Sequence, residues 1–280
     1  MSKTIKISLF FLLFTCRIVA QTDSGKEQDA AILEKFFQTV SKNTIDSSMI
    51  RAALFFQNTP YVAATLEVND EEKLVINLRE LDCTTFVENC LALARILQST
   101  YPDQDGFEQE LRKIRYRNGQ INGYTSRLHY TSDWIFDNVG AGIVEDMTHA
   151  LGGHKLKPDV HFMSENYRKY IHLADNPEDV QRMMVIEREI NARGNYFYIP
   201  KQEISKHQSL IRSGDIVCFT TSMPGLDISH LGIAYWHKGR LTFIHASSTA
   251  KKVIINPESL ADYCSAVKTN TGIMVLRPLS

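Results

Sequence analysis

The chain has 280 residues, 44% of them hydrophobic and 22% charged, with 31 basic and 32 acidic side chains and a formal net charge of −1. This ordinary composition can bury a substantial core in one elaborated domain or two small ones. Nothing in the charge offers a basic footprint for nucleic acid or for an anionic membrane surface.

Residues 1–20, MSKTIKISLFFLLFTCRIVA, place Lys3 and Lys6 ahead of an apolar run from Ile7 to Phe14, and reach Val19-Ala20 just before polar residues. That is the pattern of a secretory signal, and the run is too short to span a bilayer. Export to the periplasm is therefore expected, with no transmembrane segment and a mature chain of residues 21–280. Lipid attachment through Cys16 ranks second, because Thr15 and Arg17 make poor flanks for acylation. Losing Lys3, Lys6 and Arg17 takes the 31 basic side chains to 28 against 32 acidic ones, a net of −4. Cys83, Cys90, Cys218 and Cys264 remain. Four cysteines allow three disulfide connectivities, but a chain of this length does not need staples.

Apolar residues three and four apart mark helices over 27–42 and 46–57. After Asn58-Thr59-Pro60, the stretches YVAATLEVN and EKLVINL alternate as short strands would. Residues 82–97, DCTTFVENCLALARIL, return to the helical period. A long mixed region from about 101 to 212 follows, with a helix over 105–116, the aromatic-rich YRNGQINGYTSRLHYTSDWIFDN, and a helix from Pro177 to Ala192. From Asp215 onward the pattern becomes strands: DIVCFT, HLGIAYW, RLTFIHAS, KVIIN and TGIMVLRP. No internal repeat or low-complexity linker interrupts the chain. Helices ahead of a sheet predict an α+β fold in one domain.

Cys83 and Cys90 fall near one face of the predicted helix, about 10.5 Å apart between Cα atoms at 1.5 Å rise per residue. A disulfide needs them within about 7 Å, so they cannot pair with each other. Joint metal ligation from one helix uses spacings of three or four residues, which these do not have. Asp82 is a good N-cap, which places Cys83 in the first turn, where free N–H groups and the helix dipole favour a thiolate. Cys90 sits among Phe86, Val87, Leu91, Leu93, Ala94 and Leu97, where burial keeps a thiol inert. Both cysteines could equally be small buried side chains with no chemistry.

A nucleophilic thiol needs an imidazole, and a third group to orient that imidazole. A hairpin centred on Lys238-Gly239 would match Trp236 with Leu241 and Gly232 with His245. His230 then shares a face with His245, about 7 Å away across the strands, with Gly232 leaving space between them. His129 stands out among the remaining histidines because it lies in SRLHYTSDW. One cysteine and two histidines could also hold Zn²⁺ with an open position for water, although no HExxH-type pair is present.

These residues resemble the NlpC/P60 cysteine peptidases and amidases that cut bacterial cell-wall peptides. The resemblance rests on four pieces in order: NTPYVAATLE, DCTTF, GDIVCF, and the paired SHLGIAY and FIHASS. It covers roughly 60–100 and 210–277 and leaves the stretch 101–212 as a large insertion. Ala63 and Ala64 stand where the family has glycine. The resemblance implies a papain-like core in which the helix carrying the nucleophile packs on an antiparallel sheet. It further implies Cys83 as nucleophile, His230 as base, His245 as the polar third member and Tyr61 beside the thiol, with no cofactor or metal.

The middle region is similar to the N-acetylmuramoyl-L-alanine amidase-like branch, which implies cleavage of the bond joining muramic acid to L-alanine in muropeptides. Asp82 and Tyr61 would support the oxyanion. Arg127, His129, Tyr130, Asp133 and Trp134 are the expected substrate-binding residues, since arginine suits a peptide carboxylate and aromatic rings suit a sugar face. Alternatives are γ-D-glutamyl-diamino acid endopeptidase activity, a zinc amidase, and a non-catalytic cell-wall-binding module.

Overall fold

Near the start, amphipathic stretches become α1 (Asp23–Thr39) and α2 (Ile45–Phe55) in the computed structural model, which describes residues 23–280. The signal-like segment 1–20 and Cys16 lie outside the described residues. Leu33, Phe36, Met49, Ala52 and Ala53 turn inward and are almost fully buried. The two stretches expected as strands around Tyr61 and Ile76 form none. Ala64 adopts φ +59°, a left-handed conformation that turns the chain out of an extended path. Single bridges hold this segment instead, Pro60 to Lys252 and Tyr61 to Leu81.

Helix α3 (Cys83–Ile96) starts with a capping box: Asp82 accepts from the Thr85 N–H at 2.8 Å, and the Thr85 hydroxyl accepts from the Asp82 N–H at 2.9 Å. Its next neighbour, α4 (Gln104–Arg115), is capped by Asp103. Arg115 reaches back to α3, donating to Glu88 at 2.7 Å and to the Val75 carbonyl at 2.6 Å. Both charged side chains are sealed from water, at 2% and 3% exposure.

The middle region contributes α5 (Thr131–Gly140), β1 (Val144–Asp146), β2 (His154–Leu156), single-turn α6 (Phe162–Glu165) and α7 (Ile171–Ala174), and α8 (Pro177–Ala192). Asn176 caps α8 and Pro177 occupies its first turn, so this helix has the bounds that its sequence signals. Strand β3 (Tyr196–Pro200) and single-turn α9 (Ile204–His207) complete the region. The remaining elements are β4 (Ile216–Thr221), β5 (Ile228–His237), β6 (Arg240–Ser247), β7 (Lys252–Ile255), α10 (Leu260–Ala266) and β8 (Asn270–Pro278).

The strands join in one antiparallel sheet of order β2-β3-β8-β4-β5-β6-β7, with β1 also paired to β8. β1, β2 and β3 were not expected, and they fasten the middle region to the sheet edge. One sheet face turns Cys218, Leu231, Ile233, Ile244, Ala246 and Met274 toward the α2–α3 layer. The other turns Val217, Phe219, Ala234, Phe243 and Ile273 toward α9 and α10. This is the α+β arrangement of helices against an antiparallel sheet. No helix among the described residues is long and apolar enough to cross a membrane.

The Gly214-Asp215 pair at the head of β4 has a structural task. A Cβ on Gly214, at φ +96°, would lie 2.6 Å from the Asp46 carbonyl oxygen, so α2 and this turn approach through the missing side chain. Asp215 receives two hydrogen bonds from Arg277 of β8, each 2.9 Å long.

Candidate active site

The predicted hairpin register is the observed one: Trp236 pairs with Leu241 and His237 with Arg240. Pairing between β5 and β6 stops at Ile233 and Ile244, one step before Gly232 would meet His245. The strands part here, and the direction of the amides explains what fills the gap. Ala234 N–H donates to the Asp215 carbonyl, toward β4. Alternation along a strand then sends the Leu231 N–H toward β6, where the ladder has ended. Cys83, first residue of α3, brings its sulfur to that N–H. Leu231 follows His230 directly in the chain, so the amide that receives the thiol is the one next to His230 along β5.

His230 Nε2 and His245 Nδ1 are 2.7 Å apart, and their rings meet edge to face. That contact leaves Nδ1 as the second nitrogen of the His230 ring. A Cβ at Gly232 would lie 2.6 Å from Phe243 Cδ2 and 3.3 Å from His245 Cβ, so glycine is what permits this close packing. Phe219, Phe243 and Tyr263 surround the His230 ring. Tyr61 reaches the same place by two backbone ties, from its own N–H to the Lys251 carbonyl and from the Leu81 N–H to the Pro60 carbonyl. The Tyr61 and Tyr263 hydroxyls both feel the Cys83 sulfur, which helps burial to raise their pKa values, that of Tyr263 to about 12.

The resting charge state differs from the expected thiolate. Cys83 keeps some surface exposure, but its sulfur is surrounded by protein. Burial, and then the Asp82 carboxylate, push the thiol up to about 12. The Leu231 N–H, the Thr84 hydroxyl and the Cys83 N–H oppose that rise without reversing it. Burial also lowers His230 to about 4 and, together with His230 itself, His245 to about 3. Each group is thus driven toward its neutral form, thiol and imidazole, because desolvation outweighs the helix terminus. Asp82 both caps the helix and holds the proton on sulfur, and Asp82→Asn separates these tasks. Asparagine caps as well as aspartate, so the melting temperature should barely move while iodoacetamide labels Cys83 about three- to tenfold faster at pH 8. An unchanged labelling rate would remove Asp82 from control of the thiol.

The expected substrate-binding residues occupy supporting positions. Arg127 is 5% exposed and ion-paired with Glu67 and Glu72. Asp133 is 1% exposed and held by Arg117 and Arg193. The Tyr130 hydroxyl donates to Glu187 and accepts from the Met163 N–H. His129 and Trp134 line a cavity of about 20 Å³ with Thr131 and with Thr84 and Leu231, the residues that follow Cys83 and His230 in the chain. As placed, the charges of Arg127 and Asp133 are committed to fastening the middle region. The Leu231 amide and Tyr263 are site features that the sequence reading missed; the amide was recoverable from strand alternation, whereas Tyr263 arrives on a helix with no motif.

Cys90, Cys218 and Cys264 are buried and free, and burial raises all three thiols. Among the described residues, no group of three or more His, Cys, Asp or Glu side chains is arranged to hold a metal ion.

Residues 51–273 match the AmiA-like family, described as N-acetylmuramoyl-L-alanine amidase-like. No curated protein matches the chain. A crystal structure of an N-acetylmuramoyl-L-alanine amidase from Bacteroides uniformis is 39% identical, with a TM-score of 0.81, over 85% of this chain and 100% of that one. A Bacteroides fragilis protein named for a proposed xylanase activity is 44% identical, with a TM-score of 0.77, over 81% of this chain and 99% of that one. A Legionella pneumophila protein shares the fold at 23% identity and a TM-score of 0.69, over 92% of this chain and 96% of that one.

Proposed function

Since the chain belongs to the AmiA-like family of N-acetylmuramoyl-L-alanine amidase-like proteins, we propose that it is an exported cysteine amidase that cleaves the muramic acid–L-alanine bond of muropeptides. The proposal includes an NlpC/P60-type, papain-like core in one elaborated domain over residues 21–280, acting in the periplasm. The observation that carries it is the thiol at the tip of α3, received by the amide of Leu231, the residue after His230, whose imidazole Nε2 is bonded to His245.

The neutral resting pair shapes the mechanism. His230 Nδ1 takes the thiol proton as the sulfur attacks the amide carbonyl, so the ion pair forms only as the new C–S bond does. The Cys83 N–H and the Tyr61 hydroxyl stabilise the oxyanion; Tyr61, raised by burial, stays protonated and able to donate. The imidazolium protonates the leaving L-alanine nitrogen, the C–N bond breaks, and a thioester to the lactyl carboxyl remains. Water, activated by His230, hydrolyses the thioester and returns the proton to sulfur. His129 and Trp134, around the cavity beside Thr84, are the best placed of the predicted binding residues to meet substrate.

A glycosidase, as the xylanase name suggests, needs two carboxyl groups flanking the scissile bond. The carboxylate adjacent to Cys83 is Asp82, and it is engaged in the helix cap. Mass spectrometry of products from a defined muropeptide panel tests the proposal. The expected products are a muramic acid-containing sugar and an intact peptide with a free L-alanine amino group. A cut after D-glutamate would reassign the enzyme as an endopeptidase. Loss of activity to chelator but not to a thiol reagent would favour zinc, and binding without turnover on every substrate would favour a wall-binding module.

A further inference from the structure

β6 and β7 lead from the histidine pair to one more polar side chain. His245 is 3% exposed, and its Nε2 is sealed from solvent without a hydrogen bond of its own. An imidazole nitrogen in that state is costly unless a partner faces it. Ile254 pairs with His245 in the β6–β7 register, so Asn256, two residues on and 5% exposed, comes up on the same sheet face, and its side chain favours a proton on the His245 ring. His245 Nδ1 is taken by His230, so the contact falls to Nε2.

Asn256 is held in place from several sides. Its backbone N–H donates to the Phe243 carbonyl at 2.8 Å, and its carbonyl accepts from the Thr242 hydroxyl at 2.8 Å. Its Nδ2 donates to the Glu258 carbonyl at 3.1 Å. One N–H of the amide is held by Glu258, and a contact that favours a proton on the ring comes from an acceptor, so it is the oxygen that faces His245. We infer that Asn256 is a fourth, positioning member of the site, whose side-chain oxygen accepts from His245 Nε2–H and thereby fixes the tautomers of both histidines. The proton order then follows without freedom: His245 Nδ1 is an acceptor, His230 Nε2–H donates to it, and His230 Nδ1 presents a lone pair to the Cys83 thiol. The opposite order would place a hydrogen on His230 Nδ1 and leave the thiol facing a donor, unable to lose its proton.

This inference rests on the cysteine reading above, and two variants separate it from ordinary packing. Asn256→Ala and Asn256→Asp both lose the Nδ2 contact with Glu258, but only Asn256→Ala loses the acceptor oxygen. The expected result is a kcat about 10- to 100-fold lower in Asn256→Ala with KM nearly unchanged, and substantial recovery in Asn256→Asp. Equal activity of the two variants, or parental activity in Asn256→Ala, would overturn the assignment. Nitrogen-15 shifts of the two imidazoles give a readout that does not depend on turnover. In the parent, His245 should show a protonated Nε2 and a bare Nδ1, and Asn256→Ala should show mixed tautomers. A protonated His245 Nδ1 in the parent would refute the inference even if the cysteine mechanism holds. An inactive parent showing the expected tautomers would instead fault the function and leave the positioning role standing. Should Asn256→Ala fail to fold, Asn256→Asp and the parental shifts still decide the question.

Discussion

Cys83→Ala will yield a folded protein whose amide hydrolysis is slower by at least about 10⁴-fold, whereas Cys90→Ala will keep most of the parental rate. The contrast follows from two positions on one helix. Cys83 occupies the first residue of α3, with the Leu231 N–H on its sulfur and His230 next in the chain. Cys90 is completely buried two turns further on, and that burial pushes its thiol well above the ordinary range. Replacing Cys83 removes a single sulfur at the helix tip and leaves the capping box of Asp82 and Thr85 intact, so the melting temperature should change little. Replacing Cys90 opens a small void and costs stability of about 1 kcal/mol. Steady-state hydrolysis of a defined muropeptide, with circular dichroism on the same samples, checks both halves. Parental activity in Cys83→Ala would end the cysteine mechanism.

Arg115→Ala will have the largest effect on stability, a loss of about 3–5 kcal/mol. Arg115 and Glu88 form an ion pair sealed between α3 and α4, and the Val75 carbonyl takes a further guanidinium N–H. Removing one partner leaves the other charge buried and uncompensated. Burial already raises the Glu88 carboxyl, with Arg115 as the chief opposing influence, so the variant will raise it further and favour the protonated acid. A carboxyl raised in the folded state stabilises at low pH and loses that contribution as pH rises. The deficit of Arg115→Ala should therefore be smaller at pH 5 than at pH 8. Urea midpoints at the two pH values test this, and a deficit independent of pH would place the loss in packing alone. Replacing both residues by methionine should recover much of the stability, since two well-packed apolar side chains need no partner.

How much of this was legible in the sequence depended on the range of the information required. Helix α8 has its predicted bounds because Asn176 and Pro177 are local signals. The β5–β6 register could be read from the residues around Lys238-Gly239, and it placed His230 and His245 on one face. Longer-range facts were not legible. Arg127 looked available to a substrate because its partner Glu67 is 60 residues distant in the chain, and Asp133 lies equally far from Arg193. The segment after Tyr61 alternates like a strand, but Ala64 takes a left-handed turn and the neighbouring chain offers only single bridges. The state of the Cys83 thiol was misjudged for a related reason. A helix terminus is visible in sequence, whereas the burial that outweighs it comes from β5, α10 and the Tyr61 segment, which the fold brings from far along the chain.

The neutral resting pair also sets how the protein survives chemically. Peroxide and electrophilic toxins react with thiolates far faster than with thiols, and the first oxidation step leads on to forms that no reductant restores. On the proposed mechanism the sulfur surrenders its proton only while a carbonyl is being attacked, and it offers such reagents little to react with between turnovers. Under that proposal, the parting of two strands yields a nucleophile that is durable because it is dormant.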